Sequence, residues 1–122
     1  MEFRKEKRHR NDLYGVYYEK KACKYLDKIG YEVYGKYRCI FGEIDILAYD
    51  KKNDEFVLVD VKARKNDRYG YGREAIDEHR LFRVQRIAKF IMHEQLRDEG
   101  RVRYDVIEFH DGKPTYIKNV QF

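Results

Sequence analysis

The sequence is poor in residues that break, staple or anchor a chain. Of 122 residues, one is proline (Pro114) and two are cysteine (Cys23 and Cys39). Without a Pro-rich stretch, and without repeats or low-complexity runs, nothing divides the chain, and its length fits one domain spanning 13–122. Two cysteines cannot form a disulfide framework, and their spacing matches no zinc pattern. They read as small core residues in a reducing cytoplasm. No window approaches the roughly 18–20 consecutive apolar residues that a bilayer demands, so a membrane partner is not expected. Residues 1–10 carry five Lys or Arg against two Glu and contain no apolar h-region. They exclude a visible secretory signal and read, as part of 1–12, as a flexible basic arm.

What is abundant is charge and aromatic surface. Lys and Arg number 27 and Asp and Glu 22, a net charge of +5, and there are 12 Tyr and 7 Phe. That aromatic content excludes a chain disordered throughout. The positive balance suggests a polyanionic partner, but its meaning depends on where the charge sits.

Residues 13–28 carry a partial apolar stripe (Val16, Ala22, Cys23, Leu26) and predict a helix, with Asn11 or Asp12 as N-cap and Gly30 closing the end. Extended runs follow at 31–40, 43–49 and 55–63. The last contains Phe56-Val57-Leu58-Val59-Asp60-Val61, a buried-strand composition, and Lys51-Lys52-Asn53-Asp54 forms the turn before it. A polar stretch, 62–73, reads as a loop. A long helix is expected over about 74–99, stopped by Gly100, followed by a strand over 102–109 and a short one over 115–118. The order α-β-β-β-α-β-β buries its faces most simply as a mixed sheet flanked by helices.

Chemistry concentrates in Gly42-Glu43-Ile44-Asp45 and Asp60-Val61-Lys62. A turn centred between Lys52 and Asn53 sets Asp45 directly across from Asp60 in an antiparallel pair. Like charges there are destabilising, and a carboxylate among valines needs a partner. Lys62, two residues on, shares the face of Asp60. Two carboxylates beside an ammonium suit a hard divalent ion, Mg²⁺ or Mn²⁺, which keeps waters and stabilises charge on a phosphoryl oxygen. Glu19 could add a further carboxylate. A structural ion cluster is the competing explanation.

Beyond this pair, Lys62, Arg64, Lys65, Arg68 and Arg73 fall within twelve residues with Tyr69 and Tyr71 among them. Such a loop suits phosphates and unpaired bases, and Arg80, Arg83 and Arg86 extend it along the second helix or form that helix's wet face. Other signals are declined. His93-Glu94 lacks the second histidine of a zinc-protease helix, because position 97 is Arg97. His79 stands alone, and Gly70-Tyr71-Gly72 lacks the strand-to-helix glycine pattern of a nucleotide site.

The blocks Gly15-x-x-x-Glu19-x-x-Ala22, Arg38-x-x-x-Gly42-Glu43-Ile44-Asp45, Asp60-Val61-Lys62-x-Arg64, Ala75-Ile76, Arg80-x-x-Arg83, Tyr104-Asp105-Val106 and Asn119-x-x-Phe122 resemble the YraN-type family of small endonuclease-like proteins, within the PD-(D/E)xK nucleases. The resemblance runs from about residue 13 to the C-terminus. It implies a restriction-endonuclease-like αβββαβ core. It also implies metal-binding and catalytic roles for Asp45, Asp60 and Glu19, with Lys62 as the motif lysine. Where family members usually carry Glu, this chain has Asp60. Where Lys is usual, it has Arg80, which cannot give up a proton and is left a phosphate-clamping role.

The expectation is therefore a Mg²⁺- or Mn²⁺-dependent nuclease cutting phosphodiesters in DNA, with branched or repair intermediates among its candidate substrates. Arg64, Lys65, Arg68, Tyr69, Arg73, Arg80 and Arg83 would hold the nucleic acid. Homodimerisation is an expectation by analogy with junction-cutting enzymes. Two alternatives stand beside it: a non-catalytic nucleic-acid-binding module on the same fold, and an interaction protein with a structural ion cluster.

Overall fold

Helix α1 (Leu13–Lys28) follows from the spacing of Ala22 and Leu26, four apart and fully buried. It ends where expected. Gly30 adopts φ 98°, its N–H donates to the Asp27 carbonyl at 3.0 Å, and the Tyr31 N–H donates to the Leu26 carbonyl at 3.0 Å. That left-handed cap satisfies the last carbonyls and suits a residue without Cβ. The computed structural model describes residues 13–64 and 78–121. The basic arm over 1–12, and Lys65, Arg68, Tyr69, Arg73 and the start of the second helix pattern, lie outside the described residues.

Five strands follow: β1 (Glu32–Cys39), β2 (Gly42–Asp50), β3 (Glu55–Arg64), β4 (Val102–His110) and β5 (Lys113–Ile117), with α2 (Glu78–Phe90) between β3 and β4. They form one sheet in the order β1-β2-β3-β4-β5. β3 and β4 are parallel and the other pairs antiparallel. This is the expected mixed sheet flanked by helices, consistent with a restriction-endonuclease-like core. α1 covers one face, where Ala22 and Leu26 meet Ile46, Ala48, Val57, Val59 and Ile107. α2 covers the other, where Val84, Ile87 and Ala88 meet Ile44, Leu47, Leu58 and Tyr104. β3 is apolar on both sides because both of its faces are covered. No described helix is long and apolar enough to cross a membrane.

The end of the second helix differs from the sequence reading. α2 gives way at Ile91–Gln95 to a π-turn, and Arg97 and Asp98 both take positive φ. The helix therefore ends before Gly100. At Gly100 a Cβ would lie 2.6 Å from Leu96 Cδ1, so that the end of the leucine side chain would have to shift.

A buried polar network ties the far end of the sheet together. Arg103, with its side chain 7% exposed, donates to Asp50 Oδ2 at 2.8 Å, Asp105 Oδ1 at 3.1 Å and the Tyr31 hydroxyl at 2.7 Å. The Tyr116 hydroxyl donates to Asp105. Burial pushes the Asp50 pKa up, but the hydrogen bonds from Arg103 and Asn53 outweigh it and hold the group well below the usual carboxylate range. Asp50 also accepts the Lys52 and Asn53 N–H groups, so the same carboxylate shapes the β2–β3 turn.

Replacing Arg103 with Met leaves two buried carboxylates without their countercharge. Urea unfolding at neutral pH should show a loss of about 3–5 kcal/mol. The pH dependence has a defined sign. Because Asp50 binds its proton more weakly folded than unfolded, its contribution is full above about pH 4 and is lost as pH falls towards the depressed native value. The acid limb of stability against pH should be flatter in Asp50→Asn than in wild type.

Candidate active site

The β2–β3 register is the one the turn dictates: Ile46 faces Val59, Leu47 faces Leu58 and Asp50 faces Glu55. Continued one step, it would set Asp45 across from Asp60. The ladder stops at Ile46 instead. Asp45 Oδ2 accepts the Val61 N–H at 2.8 Å, so a side chain takes the place of a strand carbonyl. The cause lies on the other side of β2. Gly35 pairs with Leu47 and Tyr37 with Ile44, with register shifts on both sides of Gly35. Asp45 and Ile46 are therefore together opposite Lys36 alone. Such a bulge breaks the alternation of side chains and re-aims one of them. Ile44 and Leu47 consequently both join the α2-side core, whereas Ile46 and Ala48 join the α1-side core.

The expected three-way convergence is therefore divided. Asp45 lines a cavity of about 380 Å³ on the α1 side with Glu19, Lys20, Lys24 and Lys36. Asp60, buried, turns to the α2 side. Its Oδ2 accepts from Arg80 Nε at 2.8 Å and from the Tyr104 hydroxyl at 2.6 Å, and its Oδ1 accepts from Arg80 Nη2 at 2.7 Å. Lys62 is half-buried, on the Asp60 side of the pleat, and its register partner on β4 is the buried Glu108. Glu43 points elsewhere: Lys36 Nζ and Arg38 Nη2 reach its carboxylate at 3.2 and 2.9 Å. Burial raises its pKa, but hydrogen bonds from Lys36 and Arg38 prevail and lower it.

Arg80 is thus not the surface phosphate clamp that its spacing with Arg83 suggests. Its side chain is 19% exposed, and Nη2 also donates to the Glu43 carbonyl at 2.9 Å. Burial alone would lower its pKa. The hydrogen bonds and charge of Asp60, with Tyr104 and Asp45 adding, raise it, so the guanidinium is a permanent cation. Burial is also the main reason that the Tyr104 phenol is pushed far up, helped by the Asp60 charge. The hydroxyl therefore remains a donor. Arg83 is exposed, its stem passing over Gly42, where a Cβ would lie 3.1 Å from Arg83 Cδ. Arg64 closes β3 half-buried, its Nε enclosed with no hydrogen-bond partner among the described residues.

These placements decide what can hold a cation. With Arg80 forked across its carboxylate and Tyr104 on the same group, Asp60 does not fit a metal ligand in this arrangement. Among the described residues, no group of three or more His, Cys, Asp or Glu is arranged to hold an ion. Glu19 and Asp45 do offer two oxygen donors on one cavity. That matches the share Mg²⁺ commonly takes from a protein, with water and substrate phosphate supplying the rest. Tyr104 and Glu108 were not singled out as site residues from the sequence. Tyr104, Val106 and Glu108 alternate on the face that Leu58, Asp60 and Lys62 occupy in the neighbouring strand, a relation that only the parallel β3–β4 pairing establishes.

The Asp60–Arg80 pair has a measurable consequence. Arg80→Ala leaves a buried carboxylate uncompensated and should cost about 3–5 kcal/mol in chemical denaturation. Tyr104→Phe, which removes one of the donors, should cost about 1–3 kcal/mol. In a double-mutant cycle with Asp60→Asn, the two losses should be strongly non-additive.

Comparison with known proteins agrees with the motifs. A family model described as "Uncharacterised protein family UPF0102" matches residues 18–109. A UPF0102 protein of Fusobacterium nucleatum is 32% identical over 107 residues, covering 87% of this chain and 88% of the relative. One from Syntrophus aciditrophicus is 38% identical over 90 residues, covering 73% and 69%. One from Caldicellulosiruptor saccharolyticus is 36% identical over 93 residues, covering 75% and 77%. The family model, the relatives and the motif blocks agree: this chain belongs to the UPF0102 family, the YraN-type family its sequence resembles.

Proposed function

We propose that the chain is a Mg²⁺- or Mn²⁺-dependent endonuclease-like hydrolase of DNA phosphodiesters, with Glu19 and Asp45 as the ion's carboxylates. The observation that carries this reading is the bulge at Asp45, which turns that carboxylate out of the ladder and into the cavity lined by Glu19. A bulge that re-aims one acidic side chain into a cavity is the kind of local irregularity that sites use. A bound divalent ion would supply charge stabilisation of phosphoryl oxygens and a more acidic water. The chain's own residues do the rest. Val61 N–H fixes the Asp45 carboxylate at one oxygen. Lys20, Lys24 and Lys36, which line the same cavity, bring positive charge for the phosphoryl oxygens, whereas Lys62 lies on the Asp60 side of β3. Asp60 acts through Arg80 as a positioning residue, holding it against the Glu43 carbonyl at the start of β2.

A specific observation favours a second reading. Arg80 fills the carboxylate of Asp60, and a fold with that group closed suits a non-catalytic nucleic-acid-binding module. Cleavage assays separate the two. On a panel of linear, single-stranded, flapped and four-way DNA, wild type should cut at least one substrate with Mg²⁺ or Mn²⁺. Asp45→Asn, which keeps an acceptor for Val61, should lose activity on the order of 100-fold while melting like wild type. DNA binding without cutting on any substrate would instead establish the binding module.

A further inference from the structure

The side of α2 that meets the β1–β2 turn carries a second surface that the Asp45 cavity does not use. Arg80, Arg83 and Arg86 stand three apart, and successive turns of the helix meet successive residues of the β1–β2 turn. Arg80 donates to the Glu43 carbonyl, Arg83 lies over Gly42, and the Arg86 guanidinium sits 4.6 Å from the centre of the Phe41 ring. Arg86 is also 5.8 Å from the ring of Phe82. At 1.5 Å per residue this row advances about 9 Å from Arg80 to Arg86. It ends at a cavity of about 380 Å³ beside the turn and α2, whose lining includes Ile40, Phe41, Arg86, Phe90, His93 and Glu94.

Ile40 at its mouth is 85% exposed and Phe82 beside it 60% exposed. Apolar side chains so uncovered, in one patch with arginines, mark an interaction surface. The charge decides the partner. Arg83, Arg86 and Lys89 are exposed cations along one stretch of helix, and the cavity sets the apolar Ile40, Phe41 and Phe90 against Arg86, Lys89, His93 and one carboxylate, Glu94. A ligand that fits is anionic along its length and carries a flat, largely apolar group with amino hydrogens for Glu94 to accept. An unpaired nucleobase on a sugar–phosphate strand has that chemistry, and bases stack on aromatic rings and guanidinium planes alike.

We infer that the cavity between the β1–β2 turn and α2 receives an unpaired nucleobase of single-stranded DNA whose phosphates run along Arg83, Arg86 and Lys89. The inference rests on the nucleic-acid partner of the proposed function and narrows it to strands with unpaired bases. It needs no hydrolysis. The row of arginines would then lead such a strand from this pocket towards the Asp45 end of β2.

The test is fluorescence anisotropy of a labelled oligodeoxycytidine of about 12 nucleotides, with EDTA present and the full chain used throughout. Wild type should bind with an affinity that falls as salt rises. Ile40→Ser combined with Arg86→Gln should weaken binding about tenfold or more, the worth of one stacked base. The same variant should lose less than about twofold on a blunt duplex of the same length, where no base is free to enter. Ile40→Ser alone, at an exposed position, should melt like wild type and show a smaller loss in the same direction. In wild type, 2-aminopurine placed in the oligonucleotide should change its emission on binding, and in the double variant it should not. EDTA suppresses any metal-dependent cleavage, which keeps this result separate from the nuclease reading. If wild type binds in this way and cuts no substrate with Mg²⁺ or Mn²⁺, the pocket stands and the hydrolase falls. Wild-type affinity in Ile40→Ser/Arg86→Gln would overturn the inference and leave the nuclease reading intact. Equal losses on duplex and single strand would also overturn it, as would a dimer that Ile40→Ser dissociates with DNA affinity unchanged.

Discussion

A single hydrogen bond, from the Val61 N–H to Asp45 Oδ2, settles how the acidic residues of this fold are distributed. An N–H in the middle of a sheet must be paired, and the ordinary acceptor is the facing strand's carbonyl. Here the bulge opposite Lys36 advances β2 by one residue, and the Asp45 side chain supplies the acceptor. The ladder therefore ends where the cavity begins. One carboxylate is committed to the sheet at one oxygen and lines the cavity with Glu19. Without the bulge, Asp45 would have faced Asp60 directly across the ladder, and the two charges would have had to share one cation.

Asp60 instead has its own cation, and the same solution occurs at the other end of the sheet. Asp60 receives Arg80 and Tyr104, while Asp50 and Asp105 receive Arg103, with Tyr31 and Tyr116 in the network. In both places a guanidinium fork and phenol hydroxyls meet carboxylates away from water. Arginine suits such sites because it stays charged and donates in two directions at once. A fold with 40% charged residues can therefore bury several of them without leaving any of these groups uncompensated.

Much of this was readable in the residues. The Lys51–Asp54 turn set the β2–β3 register, the apolar run of β3 placed it centrally, and Gly30 marked the end of α1. The Gly-Glu-Ile-Asp and Asp-x-Lys blocks carried the family. The bulge was not readable, because Ile44, Ile46, Leu47 and Ala48 are all apolar, and a slip of alternation leaves no trace when both faces of a strand are buried. The inward turn of Arg80 was hidden by its spacing with Arg83 and Arg86, which looks like one surface row. The tyrosine that completes the Asp60 site comes from β4, 44 residues away in sequence, and no local pattern links them. Arg103 and its carboxylates were likewise invisible as a network, since their contact depends on the parallel pairing of β3 with β4.

The sheet thus presents different chemistry on its two sides: under α1 a cavity where Glu19 and Asp45 meet three lysines, and on the α2 side a neutralised buried carboxylate with arginines leading outwards over the β1–β2 turn. The most direct test of that division is residue-resolved NMR during titration with Mn²⁺. Paramagnetic broadening should appear first at the amides of Glu19, Lys20 and Asp45 and should require Asp45, while the signals of Arg80 and Tyr104 persist. Broadening centred on Asp60, Arg80 and Tyr104, or the same pattern in Asp45→Asn, would contradict it.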